Sequence, residues 1–321
     1  MIYLQTLGGF VLLLGCAELL VRGAVSLAQR LGVAPLVIGM TVVAWGTTAP
    51  ELVVSLDAAL LGSPGISVGN VVGSNIANIL LILGVGAMIA PMACDRGQIN
   101  RDALAMLLAS GLFAVIVSVG RLEFWQGTIM IVLLVGFTLT SYRMARRRHA
   151  AAEAAEATVE EFGGAPKSLG SSLLILVLGI AGVVIGADLL VEGAVGLARQ
   201  FGVSEAAIGL TLVALGTSLP ELATAAVSAY RGHAEVALGN VVGANIYNVL
   251  GIMGVVSIIT PIDVPAKIAA LDIWIMVAVT VVFVGLIIGL GRLGRAAAAL
   301  FLVAYVVFTL SQYGDFARMW S

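Results

Sequence analysis

Charge is scarce in this chain: Asp, Glu, Lys and Arg make up 11% of its 321 residues, against roughly a quarter in an ordinary soluble domain. That deficit excludes a soluble protein. Cysteine is nearly absent, with only Cys16 and Cys94, both in or beside apolar segments. A disulfide framework is thereby excluded, no thiolate metal site can be built, and two inert buried thiols are expected. The net charge of −2 offers no basic surface and so no nucleic-acid partner. No cation precedes Arg22, so the first apolar run lacks the positive region of a secretory signal and outlasts the length of one. It reads as the first spanning helix.

The remainder is apolar: 60% of the residues are hydrophobic and 39 are Gly. Crossing a hydrocarbon core of roughly 30 Å takes about 20 apolar helical residues, and Gly lets such helices approach closely in lipid. Ten candidate spans follow: 2–29, 34–61, 66–90, 102–120, 124–144, 169–199, 204–229, 236–260, 268–290 and 294–313. The expected fold is therefore an all-α polytopic membrane protein. Its one long polar stretch, 146–168, opens on Arg146, Arg147 and Arg148 and reads as a solvated connector between residues 1–145 and 169–321.

Those two parts repeat each other at a constant offset of 170 residues. GMTVVAWGTTAPE at 39–51 faces GLTLVALGTSLPE at 209–221 with 8 of 13 positions identical, and GNVVGSNIAN at 69–78 faces GNVVGANIYN at 239–248 with 8 of 10. Five spans per half reverse the direction of insertion, so the expectation is two inverted five-helix repeats with a central site near the midplane. Eleven cations fall in the connections on one side and four on the other. This bias puts the linker in the cytoplasm and both termini outside, in an inner (plasma) membrane.

In each repeat a Pro follows Gly-Thr-Thr or Gly-Thr-Ser in mid-span. It removes a backbone donor and breaks the helix where lipid offers no water, which is tolerated only beside a cavity or inside protein. Ala44 and Ala214, just before the breaks, are the expected carbonyl donors. Glu51 and Glu221 follow the prolines directly, and an acid at that depth marks a functional polar interior. Thr47 and Thr48 share a helical face with Glu51, as do Thr217 and Ser218 with Glu221. Asn78 and Asn248 end the second motif and add neutral carbonyl oxygens. Ser74 offers a one-sided hydroxyl, because its counterpart is Ala244. Asn75 and Asn245 read either as interhelical hydrogen-bond partners or as ligands.

An all-oxygen set suits hard cations, Ca2+ and Na+ over zinc or copper, with Mg2+ a poorer fit. Two carboxylates bring a charge of −2, which one Ca2+ neutralises and which takes more than one Na+ to match. An empty, fully charged site is costly to carry through a low-dielectric barrier, so the charge balance favours exchange. A membrane hydrolase using two acids is the reading from another class, but there is no GxGD motif or water-activating Asp pair. A transporter, not an enzyme, is expected, with transported ions and no cofactor.

Other polar residues read more plainly. The GxxxG steps Gly69/Gly73 and Gly239/Gly243 point to close helix packing. Asp57 falls off the ligand face, and Glu18, Arg22, Asp188 and Glu192 line water or sit near an interface.

The two repeats together resemble the cation/Ca2+ exchanger superfamily, specifically its prokaryotic Na+/Ca2+ exchanger branch, which carries GTSxPE and GNxxGSNIxN steps in two alpha repeats. The resemblance implies ten helices in two inverted halves and four central ion sites. Carried over by position, it assigns Glu51, Thr47, Thr48, Ala44 and Asn78 from the first half and Glu221, Thr217, Ser218, Ala214 and Asn248 from the second. Ala244, where relatives often have Ser, and Asn248, where some have Asp, leave H+-coupled and K+-dependent exchange open as alternatives. The Gly-rich first and sixth spans resemble the pair that slides across the core.

Overall fold

The structure, a computed structural model, describes residues 2–93, 96–153, 168–201 and 214–319. Its helices are α1 (Ile2–Leu31), α2 (Pro35–Thr47), α3 (Ala49–Leu60), α4 (Pro64–Ile89), α5 (Arg96–Ser118), α6 (Phe124–Glu153), α7 (Leu169–Gln200), α8 (Leu219–Tyr230), α9 (Ala234–Ile259), α10 (Ile268–Leu290) and α11 (Arg295–Met319). A short helical turn, Ala214–Gly216, precedes α8.

Among the described residues, eight helices are long and apolar enough to cross a membrane, and α2 with α3, bent by 41°, make a ninth broken span. The first half of the expected span 204–229 and most of the 146–168 linker lie outside the described residues, as do Cys94 and the 209–213 end of the second Pro-Glu motif. α6, the fifth expected span, runs on to Glu153, past the expected boundary at 145.

The 170-residue offset carries into the elements: Ala49–Leu60 and Pro64–Ile89 recur as Leu219–Tyr230 and Ala234–Ile259. Four two-residue strands, too short to signal in sequence, follow that relation to within one residue. β1 (Met92–Ala93) pairs antiparallel with β4 (Arg292–Leu293), and β2 (Arg121–Leu122) with β3 (Ile262–Asp263). Each pair joins one half to the other, and exchanging the halves turns the first pair into the second. Gly120 and Gly291, at φ 87° and 66°, make the left-handed turns that release the chain from α5 and α10 into these strands.

α1 and α7 run antiparallel at backbone contact. A Cβ at Gly179 would lie 2.5 Å from the Leu20 amide nitrogen, one at Gly186 2.5 Å from that of Leu13, and one at Gly23 2.7 Å from that of Leu176. Gly179, Gly186 and Gly193 recur every seven residues, so α7 presents a bare backbone to α1 at three successive points of one face. In lipid, where burial from water supplies no drive between helices, such close van der Waals contact holds the pair. Cys16 packs into the same seam, its sulfur where a Gly182 side chain would stand.

Gly239 and Gly243 play the same part in the core, lying against the backbone of Leu36 and Met40. α4, α5, α9 and α10 surround a continuous apolar core that includes Ile76, Phe113, Leu238 and Phe283. Asp57 is exposed. Glu18 pairs with Arg22 at 2.7 Å on α1 and with Arg231 at 2.7 Å, in the turn after α8.

Candidate cation site

The helix through the first Pro-Glu motif breaks at Thr48, which caps α2 and begins α3 at φ −82°, ψ −4°. Pro50 then sits in the first turn of α3, where its missing N–H costs nothing. Ser218, Pro220 and α8 repeat the arrangement. The break therefore places Glu51 and Glu221 each in the first turn of a helix, where the positive end of the peptide dipoles favours a carboxylate.

Both acids are almost fully buried, at 1% exposure each. Their carboxyls are close enough for the charge of one to act on the other. Thr48 Oγ1 donates to Glu221 Oε1 at 3.4 Å. A hydroxyl of the first half thus touches the acid of the second.

The asparagines reach this place by a second backbone irregularity. α4 is α-helical to Ala77 and then widens to a π-helical turn over Asn78–Ile82, while α9 does so over Tyr247–Ile252. Such turns are rare and concentrate at functional sites. α8, carrying Glu221, packs against the Asn78–Ile82 turn, and α3, carrying Glu51, against Tyr247–Ile252. The helix that carries each acid thus lies against the turn that begins at or includes the asparagine of the opposite half.

Asn78 Nδ2 donates to Asn245 Oδ1 at 2.9 Å and Asn248 Nδ2 to Asn75 Oδ1 at 3.2 Å. Asn75 and Asn245 thus act as hydrogen-bond partners of the two asparagines. Each bond uses the nitrogen end of Asn78 or Asn248 and leaves the oxygen end turned elsewhere.

Among the described residues, the buried side-chain oxygens without a hydrogen-bond donor include Glu51 Oε2, Glu221 Oε2, Asn78 Oδ1, Asn248 Oδ1 and Thr217 Oγ1. Buried acceptors are ordinarily satisfied, and those left over here are mainly anionic or carbonyl oxygens, which a cation satisfies. No three His, Cys, Asp or Glu side chains come together among the described residues, so amide and hydroxyl oxygens must complete any coordination shell. That donor set matches a hard cation and not zinc.

The other expected ligands are placed as follows. The Ala44 carbonyl accepts the Thr48 amide at 3.0 Å and the Thr47 hydroxyl at 3.4 Å, and Thr47 also donates to Asn240 Oδ1 at 3.3 Å. Ala214 opens the short turn before α8. Ser74 and Ser218 are buried at one end of a cavity of about 510 Å³ between α4, α10 and α11, which also reaches Asp272 and Gln312. Thr217 lines a second cavity of about 260 Å³ together with Pro50, Pro220, Asp188 and Glu192. The acids of α7 therefore open toward the site.

Two residues were assigned no role from sequence. Asn70 donates to Ser55 Oγ at 3.0 Å and to the Glu51 carbonyl at 3.4 Å, and Asn240 accepts from Thr47. Both brace the broken helices. The available signal was the second letter of the GNVVG step, present in both repeats.

With this geometry in place, known proteins give a consistent comparison. The family model described as "Sodium/calcium exchanger protein" matches residues 1–143 and 171–314. The putative antiporter CaxA of Alkalimonas amylolytica is 36% identical over 305 residues, covering 93% of this chain and 94% of that one. The sodium/calcium exchanger MaX1 of Methanosarcina acetivorans is 30% identical, covering 95% and 97%. A solved structure of the sodium-calcium exchanger NCX_Mj, soaked with zero Na+ and Ca2+, superposes with a TM-score of 0.84 at 31% identity, covering 97% of this chain and 100% of that one. Broken helices, paired acids and repeated asparagines thus lie on a scaffold shared almost end to end with such proteins, and the chain belongs to the sodium/calcium exchanger family of membrane transport proteins.

Proposed function

We propose that this protein is a secondary antiporter that exchanges Na+ for Ca2+ by alternating access, at a central site built on Glu51 and Glu221. The observation that carries the reading is the set of buried oxygens left without donors, above all one oxygen of each acid. Two carboxylates carry four oxygens and the Asn78 and Asn248 amides add two, which meets the lower end of the roughly 6–8 that Ca2+ takes. The pair's charge of −2 matches one Ca2+, while Na+ balances it only in greater number. A site emptied of both is penalised by desolvation, which couples the two fluxes. Na+ as the counter-ion is further supported by MaX1 and NCX_Mj, both named sodium/calcium exchangers.

The proposed plan is ten helices in two inverted five-helix repeats, in the inner membrane, with both termini outside and the 146–168 linker cytoplasmic. The crosswise strand pairs and the crossed contacts at the site support that two-fold relation. The glycine seam supports movement of α1 and α7 as one body against the rest.

The test is isotope flux in reconstituted vesicles. Na+-loaded vesicles should accumulate Ca2+, and neither a K+ nor a pH gradient should replace Na+. Accumulation driven by a pH gradient alone, without Na+, would assign proton coupling instead.

A further inference from the structure

Met106 and Met276 stand 170 residues apart, on α5 and α10, and both are fully buried. Their sulfurs are not simply packing. Asn75 Nδ2 donates to Met276 Sδ at 3.4 Å, and Asn245 Nδ2 donates to Met106 Sδ at 3.6 Å. Two contacts between different pairs of helices, related by the offset that relates the halves, form two matching relays. One runs Met276, Asn75, Asn248 and the other Met106, Asn245, Asn78.

We infer that Met106 and Met276 are positioning residues that fix which end of each asparagine amide faces the carried cation. A side-chain amide has a donor end and an acceptor end of nearly equal size. Nothing in its shape decides which points where. A thioether accepts and cannot donate, so it holds the nitrogen ends of Asn75 and Asn245. Their oxygen ends then face Asn78 and Asn248, take up the nitrogens there, and leave Oδ1 of each for the ion.

Other residue types would fail at these positions. A carboxylate would pair the amide but add charge beside a site balanced at −2. A hydroxyl would accept but also donate, removing the discrimination. A Leu would fill the volume and leave the amide's nitrogen end with no acceptor at Asn75, and with only the 3.5 Å bond to the Asn75 carbonyl at Asn245, so that N–H can turn toward a cation at the far end of the relay. Thioether sulfur is also too soft to compete for Na+ or Ca2+, so it orients the ligands without becoming one.

This inference rests on the exchange reading above. Met→Leu nearly conserves volume and is well tolerated in cores, so Met106→Leu and Met276→Leu should insert and fold. In Na+-loaded vesicles each should raise the KM for Ca2+ by about tenfold, the usual effect of losing a residue that orients a metal ligand, with little change in maximal rate. Met276→Gln, which restores an acceptor but brings a donor with it, should recover only part of the affinity. In an Asn75→Ala background Met276→Leu should add no further loss. The inference is overturned if Leu variants keep the wild-type KM, if Gln is no better than Leu, or if the loss persists in full without Asn75. Should a Leu variant fail to insert, Ile takes its place in the same comparison. Wild-type exchange with unshifted variants rejects the role of the methionines alone, whereas a wild-type protein that carries no Ca2+ under any gradient rejects the exchange reading with it.

Discussion

The side-chain nitrogen of Asn78 donates to Asn245 Oδ1 at 2.9 Å, and the same bond recurs at 3.2 Å between their counterparts, Asn248 and Asn75. Each bond spans the two halves, so each half holds in orientation an asparagine that the proposed site takes from the other. A site made this way has its geometry set by the fit between repeats and not by either repeat alone.

Asn75 and Asn245 should therefore matter without touching the ion. Asn75→Ala and Asn245→Ala are each expected to weaken Ca2+ affinity by about tenfold, read as KM in vesicles, while Asn78→Ala removes a proposed ligand outright and is expected to cost more. Equal affinity in wild type and Asn245→Ala would show that Asn78 needs no such support.

Much of this site was legible because it is written twice. Glu51 and Glu221 stood out as acids in apolar spans beside a helix-breaking Pro, and a second copy removed coincidence. The π-helical turns at Asn78–Ile82 and Tyr247–Ile252 were not legible, since an extra residue in a turn is set by how α4 and α9 pack and leaves no mark in composition. The crossing of partners, Thr48 to Glu221 and Asn78 to Asn245, was equally hidden. Periodicity reports the face of a helix, not which distant helix will meet it. The glycines of α7 were visible as small residues, but only the structure shows that those seven apart fall on the backbone of α1.

That seam gives a stability prediction. Gly186→Leu places side-chain atoms where the Leu13 backbone stands, and overpacking of this kind costs about 1–3 kcal/mol or more. Gly285→Ala, where a Cβ meets nothing within 4 Å among the described residues, should change stability by less than about 0.5 kcal/mol. Thermal melting of the purified proteins compares the two. Equal melting points would mean that α1 and α7 are not held at backbone contact.

Pro50 separates stability from transport. Pro50→Ala restores a donor to the Gly46 carbonyl four residues earlier and lets the helix run on through Thr48. Stability is expected to stay within about 1 kcal/mol of wild type, the gained hydrogen bond offsetting the lost rigidity. Exchange should fall steeply, because Glu51 leaves the first turn of α3. Wild-type flux from this variant would show that the 41° bend is dispensable.

The central claim is that two buried acids jointly hold the carried cation. Uptake of radioactive Ca2+ into Na+-loaded vesicles, compared for wild type, Glu51→Gln and Glu221→Gln, tests it most directly, because each change keeps the shape and removes one charge. Both variants are predicted to lose uptake while remaining inserted and folded. Uptake at the wild-type rate from either one would contradict a site that needs both charges.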